Sequence, residues 1–113
     1  MRLKTEIWVQ AYLRRWFAQG GFGAVLSKGA AEAGAVYVVV NRLDGTANVF
    51  GPAPGPAYDD NGERRWAMAA AQPVDALELT RLIERLKRFD PDVWVVEIED
   101  RRGTGGLLLA RDI

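Results

Sequence analysis

Between residues 5 and 19 apolar side chains recur at helical spacing. Trp8, Val9, Tyr12, Leu13, Trp16 and Phe17 share one half of a wheel turned by roughly 100° per residue, while Gln10, Arg14 and Arg15 fall outside it. Thr5 is the expected N-cap, Leu3 and Val9 the expected staple, and Gly20-Gly21 the stop. Such a stripe packs on a sheet rather than forming an open aromatic platform. The pattern then changes to β type, with Gly23 to Lys28 followed by the run Ala35 to Asn41, whose Val36-Tyr37-Val38-Val39-Val40 is strongly β-prone. Asp44-Gly45 separates that run from Thr46 to Phe50, as in a tight two-residue hairpin. The Pro/Gly-rich segment 51–63 reads as an exposed, flexible loop, with Asp59-Asp60-Asn61-Gly62 a turn leading into a strand from Arg64 to Ala71.

A second helix starts at Asp75, where Glu78 completes a capping box and Val74 staples to Leu79. Leu79, Leu82, Ile83 and Leu86 form its expected buried stripe, with Glu78, Arg81, Glu84, Arg85 and Arg88 on the wet side. Pro91 ends the helix, and Val93-Trp94-Val95-Val96 follows as a strand apolar on both faces, which belongs inside a sheet. Right-handed crossover returns that strand beside the first one. Gly105 to Ala110 is a possible edge strand. The expected fold is therefore α+β: a mainly antiparallel sheet of five or six strands packed by two helices, in the order α-β-β-β-β-α-β, forming a single domain over residues 1–113.

Composition narrows the chemistry. Hydrophobic residues at 49% and charged residues at 27% are globular values, so the chain is expected to fold unaided. Cysteine and histidine are both absent and Ser27 is the sole serine, which removes disulfides, thiol nucleophiles, imidazole or thiolate zinc sites and His-based triads. Catalysis would rest on carboxylates, Lys, Tyr or Arg, and no cofactor is expected. Fifteen basic residues balance fifteen acidic ones, so no net field draws the chain toward nucleic acid or an anionic membrane. Gln10, Arg14 and Arg15 interrupt the first apolar segment, so neither signal peptide nor membrane span is expected and the cytoplasm is the expected location.

Two constellations merit inspection. Gly20-Gly21-Phe22-Gly23 follows a helix and precedes a strand, the reverse of the context that aims amides at phosphate, and is read as a helix stop. The acidic set Asp90, Asp92, Glu97, Glu99 and Asp100 brings metal-dependent nucleases to mind, but Asp92 and Glu97 on one strand stand about 16 Å apart at about 3.3 Å per residue. Glu97 and Glu99 do share a strand face, with Cα atoms about 7 Å apart, and are the only weak candidates for a metal. The competing expectation pairs them with Arg64, Arg65, Arg101 or Arg102.

The opening Arg2-Leu3-Lys4-Thr5-Glu6-Ile7-Trp8-Val9, the stretches Lys28-Gly29 and Ala33-Gly34-Ala35, and the run from Phe89-Asp90-Pro91-Asp92-Val93-Trp94 through Arg101 resemble the bacterial domain of unknown function 1491 family. The resemblance spans nearly the whole chain and implies a single-domain bacterial cytosolic protein, and it carries over no catalytic residue. Three functional classes remain. First comes a non-enzymatic interaction module that associates with itself as a homodimer or with another protein. Second comes a nucleic-acid-binding accessory protein using Arg14, Arg15, Arg64, Arg65 and the second helix's Arg81, Arg85 and Arg88. Third comes a metal-dependent hydrolase built on Glu97 and Glu99.

Overall fold

Residues 3–110 are described by a computed structural model. The order is α1 (Thr5–Ala18), β1 (Gly23–Ser27), β2 (Val36–Asn41), β3 (Ala47–Pro52), β4 (Trp66–Met68), α2 (Ala76–Phe89) and β5 (Trp94–Glu99). The strands form one sheet in the order β1-β5-β2-β3-β4. β5 thus returns beside β1, antiparallel to it and parallel to β2, while the β2–β3 and β3–β4 pairs are antiparallel. The expected α+β architecture stands, with one parallel pair making the sheet mixed.

Side-chain alternation explains how this sheet separates two unequal cores. Val36, Val38 and Val40 of β2, with Trp94, Val96 and Ile98 of β5, pack beneath Val9 and Tyr12 of α1. Val39 and Val95 point the other way and meet Leu79 and Ile83 of α2 with Ala47. The α1 side is the thicker one. No residue of α2 is fully buried, so the expected buried stripe of Leu79, Leu82, Ile83 and Leu86 is only half-covered. The reason is that α2 meets small or β-branched side chains there, whereas α1 meets Phe50, Trp66 and Trp94.

Several local expectations are corrected. Lys4 is the N-cap of α1, without a side-chain cap bond. Thr5 begins the helix instead, and its buried hydroxyl donates to the Gly34 carbonyl at 2.9 Å. Leu3 remains exposed, so it does not pair with Val9 as a closed staple, and Phe17 is 53% exposed because it lies in the last turn of the helix. The β2–β3 hairpin is longer than two residues: the Arg42 N–H donates to the Thr46 carbonyl around Leu43, Asp44 and Gly45, and Leu43 and Gly45 both take positive φ. β3 runs on through Pro52, into the segment expected to be loop, and β4 shrinks to three residues. Asp75 and Glu78 form the expected capping box of α2.

No sixth strand forms over residues 105–110, where Leu109 makes one isolated bridge to Trp66. Positive φ at Gly103, Gly105 and Gly106 prevents an extended run. The turn has a packing role: the Tyr12 hydroxyl donates to the Gly105 carbonyl at 2.6 Å, and a Cβ on Gly105 would stand 2.9 Å from that hydroxyl. Burial pushes the Tyr12 phenol up to about 12, so it remains a protonated donor.

Trp94 is 3% exposed, and its indole N–H donates to the Ala30 carbonyl at 2.7 Å. Trp94→Ala is expected to destabilise by about 3 to 5 kcal/mol, from lost burial plus an orphaned carbonyl, as measured by chemical denaturation. Melting within a few degrees of wild type would contradict this placement.

Candidate functional site

The most elaborated surface is built around Arg64. Asp59 organises the turn before it, accepting from the Asn61 and Glu63 amides at 2.8 and 3.0 Å. A short hairpin follows, in which Tyr58 bridges Arg64. Its base is tied down by Arg65, whose Nη1 donates to the Pro54 and Pro56 carbonyls at 2.8 and 2.9 Å. Proline-rich backbone has few amide donors but keeps its carbonyls, and Arg65 uses them as anchor points.

So placed, the Arg64 guanidinium lies 5.5 Å from the Trp8 ring centre and 5.6 Å from that of Tyr58, both within cation–π range. Its Nη2 donates to the Thr5 hydroxyl at 2.8 Å, and Trp8 in turn stacks on Tyr12 at 5.0 Å and meets Trp66 at 5.4 Å. Burial holds the guanidinium below its usual pKa, an effect the adjacent Tyr58 phenol partly offsets. Arg64 lines two adjoining clefts. One of about 670 Å³ runs along the 58–64 hairpin, and one of about 560 Å³ lies between Trp8, Trp66 and residues 106–110. Both volumes suit a small organic ligand. Sequence reasoning marked Arg64 but missed Trp8 and Tyr58 as its companions. The turn at 59–62 contained the signal, since closing it as a hairpin makes Tyr58 and Arg64 neighbours.

Of the other candidate arginines, Arg15 and Arg65 line the cleft of about 560 Å³ together with Arg64, and the rest lie elsewhere. Arg14 and Arg15 are exposed on α1, with Arg15 5.8 Å from the Tyr12 ring. Arg81, Arg85 and Arg88 are exposed on α2, across the sheet. The sheet therefore divides the basic residues into two groups.

The acidic set is dispersed into local structural roles. Asp90 accepts from the Asp92 amide at 2.9 Å. Glu97 and Glu99 share the α2 face of β5, as alternation from Val95 requires, and are half-exposed. The cations expected opposite them are not in place: among the described residues neither forms an ion pair, and Glu97 instead accepts from the Asn41 side-chain amide at 3.2 Å. No group of three metal-ligating side chains occurs among the described residues. Asp100 is buried and accepts from the Arg102 and Gly105 amides at 3.1 and 3.0 Å. Burial alone would raise its pKa, but those hydrogen bonds and the Arg102 guanidinium outweigh it and hold the carboxyl below its usual range.

A second surface lies at β1, the sheet edge opposite β4. β1 has a partner only on its β5 side, and Phe22, Val25 and Leu26 on or beside it are exposed, as is Phe17 in the last turn of α1. No charged residue occurs from Ala18 to Ser27. No helix among the described residues is long and apolar enough to cross a membrane.

Fold and surfaces together describe a small α+β protein built on one mixed five-stranded sheet. Residues 3–107 match the family described as protein of unknown function (DUF1491), and the chain belongs to that family. It is similar over its whole length to a protein from A. tumefaciens of known solution structure, with 45% identity, 98% of that chain covered and a TM-score of 0.81. A DUF1491 family protein from Caulobacter crescentus is also similar. Its crystal structure matches with 44% identity, 89% of each chain and a TM-score of 0.72, and an NMR structure of a DUF1491 protein from that organism matches with 45% identity, 91% and 90% coverage and a TM-score of 0.72. No curated protein matches the chain.

Two expected outcomes test the acidic residues. Because the folded pKa of Asp100 is depressed, its stabilising contribution is fully present above the unfolded value of about 3.9 and is lost as pH falls through the lower folded value. Asp100→Asn is therefore expected to melt lower than wild type at neutral pH, with the gap narrowing below about pH 4; a gap independent of pH would refute the assignment. Millimolar Mg²⁺ or Mn²⁺ is expected to leave the melting temperature unmoved, since an ion that does not bind the native state cannot stabilise it. A divalent-ion rise that disappears in Glu97→Gln would reinstate a metal site.

Proposed function

We propose that the chain is a non-enzymatic interaction module that associates with a second copy of itself along β1. The observation carrying this reading is an uncharged, half-unpaired edge strand flanked by exposed apolar side chains, with Val25 and Leu26 each 43% exposed. Edge strands present outward-facing N–H and C=O groups that invite another strand, and sheets that must stay single blunt them with charge. Here residues 18–27 contain no charge, so a two-fold axis through β1 would set no like charges against each other. The β-bulge between Val25 and Ser27 bends the strand, which limits backbone pairing to its first half and leaves Phe17, Phe22 and Leu26 to supply apolar contact. We propose the cytoplasm as its compartment, in keeping with a small domain that uses no disulfide.

Light scattering on the purified chain is expected to show a dimer as concentration rises from micromolar to near-millimolar. Val25→Lys with Leu26→Lys is expected to leave a monomer, since each copy then brings matching positive charge to the axis. Both positions are solvent-exposed, so the double variant is expected to melt within a few degrees of the wild-type monomer. A wild-type chain that stays monomeric throughout this range, or a double variant that dimerises undiminished, would overturn the proposal.

A further inference from the structure

Arg64 presents an imbalance that the fold itself does not resolve. Its guanidinium is half-buried, yet among the described residues no carboxylate pairs with it. Its hydrogen bond goes to the hydroxyl of Thr5, a neutral group that already donates to Gly34. A charge withdrawn from water without a counter-ion is costly, and folded chains ordinarily supply one. Contact with Trp8 and Tyr58 is of the cation–π kind, whereas carboxylate recognition uses the guanidinium N–H groups. The two modes are compatible on one side chain.

The surroundings select among anions. In the cleft of about 560 Å³ the carboxylates of Asp59 and Glu63 are joined by three arginines, Arg15, Arg64 and Arg65, so the lining carries one net positive charge. Arg65 is tied to the Pro54 and Pro56 carbonyls, and Arg15 lies by the Tyr12 ring on α1. One net positive charge suits one negative charge, and a dianion would exceed it. The cleft of about 560 Å³ adds apolar lining from Trp8, Trp66, Leu107 and Leu108. We infer that Arg64 anchors a binding site for a monocarboxylate borne on an apolar body, the carboxylate pairing with the guanidinium and the body lying along Trp8, Trp66 and Leu107. The site lies at the β4 side of the sheet, away from the β1 edge, and stands independently of self-association.

Octanoate is a suitable probe, titrated into the full chain and followed by calorimetry and by the indole N–H resonances of Trp8 and Trp66. Saturable binding at millimolar concentration or below is expected, with both indole resonances shifting. Octanol lacks the charge and acetate lacks the body, so each is expected to bind at least about tenfold more weakly. Arg64→Lys keeps a charge but loses the fork and is expected to weaken octanoate about tenfold, while Arg64→Met abolishes binding. Octanol binding as tightly as octanoate, undiminished binding to a folded Arg64→Met chain, or no saturation by octanoate would each overturn the inference. Tighter binding of inorganic phosphate than of octanoate would overturn it in favour of a phosphate site. If Arg64→Met does not fold, the comparison of octanoate with octanol on the wild-type chain still decides.

Discussion

Everything in this molecule depends on β5 entering the sheet between β1 and β2. Trp94, Val95, Val96 and Ile98 are buried, because the strand has neighbours on both sides and a helix over each face. Without β5, β1 would have no partner and α1 would lose half of the floor on which Val9 and Tyr12 rest. Polar satisfaction follows the same centre: the Trp94 indole ties the 30–34 loop to the strand, and Asp100 directly after β5 closes the turn that receives the Tyr12 hydroxyl. The two faces are nonetheless unequal. Large aromatic residues fill the α1 side, and α2 is held more lightly over valines and alanine.

Much of this was legible in the chain because its signals were local or periodic. The run Val93–Val96 is apolar at consecutive positions, which only a strand covered on both faces tolerates, and it occupies the sheet interior. Asp75 and Glu78 announced α2 through a capping box that the fold retains. Expectations failed where a tertiary partner outweighed a local preference. Thr5 has the chemistry of a cap, but Gly34 and Arg64 claim its hydroxyl from distant parts of the chain. Leu79, Leu82, Ile83 and Leu86 have the spacing of a buried stripe, and periodicity cannot tell how large the side chains beneath them are.

The surfaces followed the same division. Arg64 and Arg65 stood out in the sequence as a basic pair, but their different contacts did not: Arg65 reaches backbone carbonyls in its own loop, and Arg64 the rings of Trp8 and Tyr58. Grouping arginines by count placed Arg81, Arg85 and Arg88 with them, although a five-stranded sheet stands between. Glu97 and Glu99 were rightly put on one strand face. Their environment depended on Asn41, whose pairing with Glu99 across a parallel ladder no sequence spacing announces.

The parallel pairing of β5 with β2 also bears on how the chain emerges from a ribosome. Val36 aligns with Trp94 and Asn41 with Glu99, so the strands that must meet are separated by two further strands and a helix. During synthesis β2, β3 and β4 can zip as a local meander, whereas β1, though made first, has nothing to join until β5 arrives. The apolar segment Phe22 to Leu26 therefore waits uncovered through most of translation. How long that segment stays open to misassembly is set by strand order rather than by final stability.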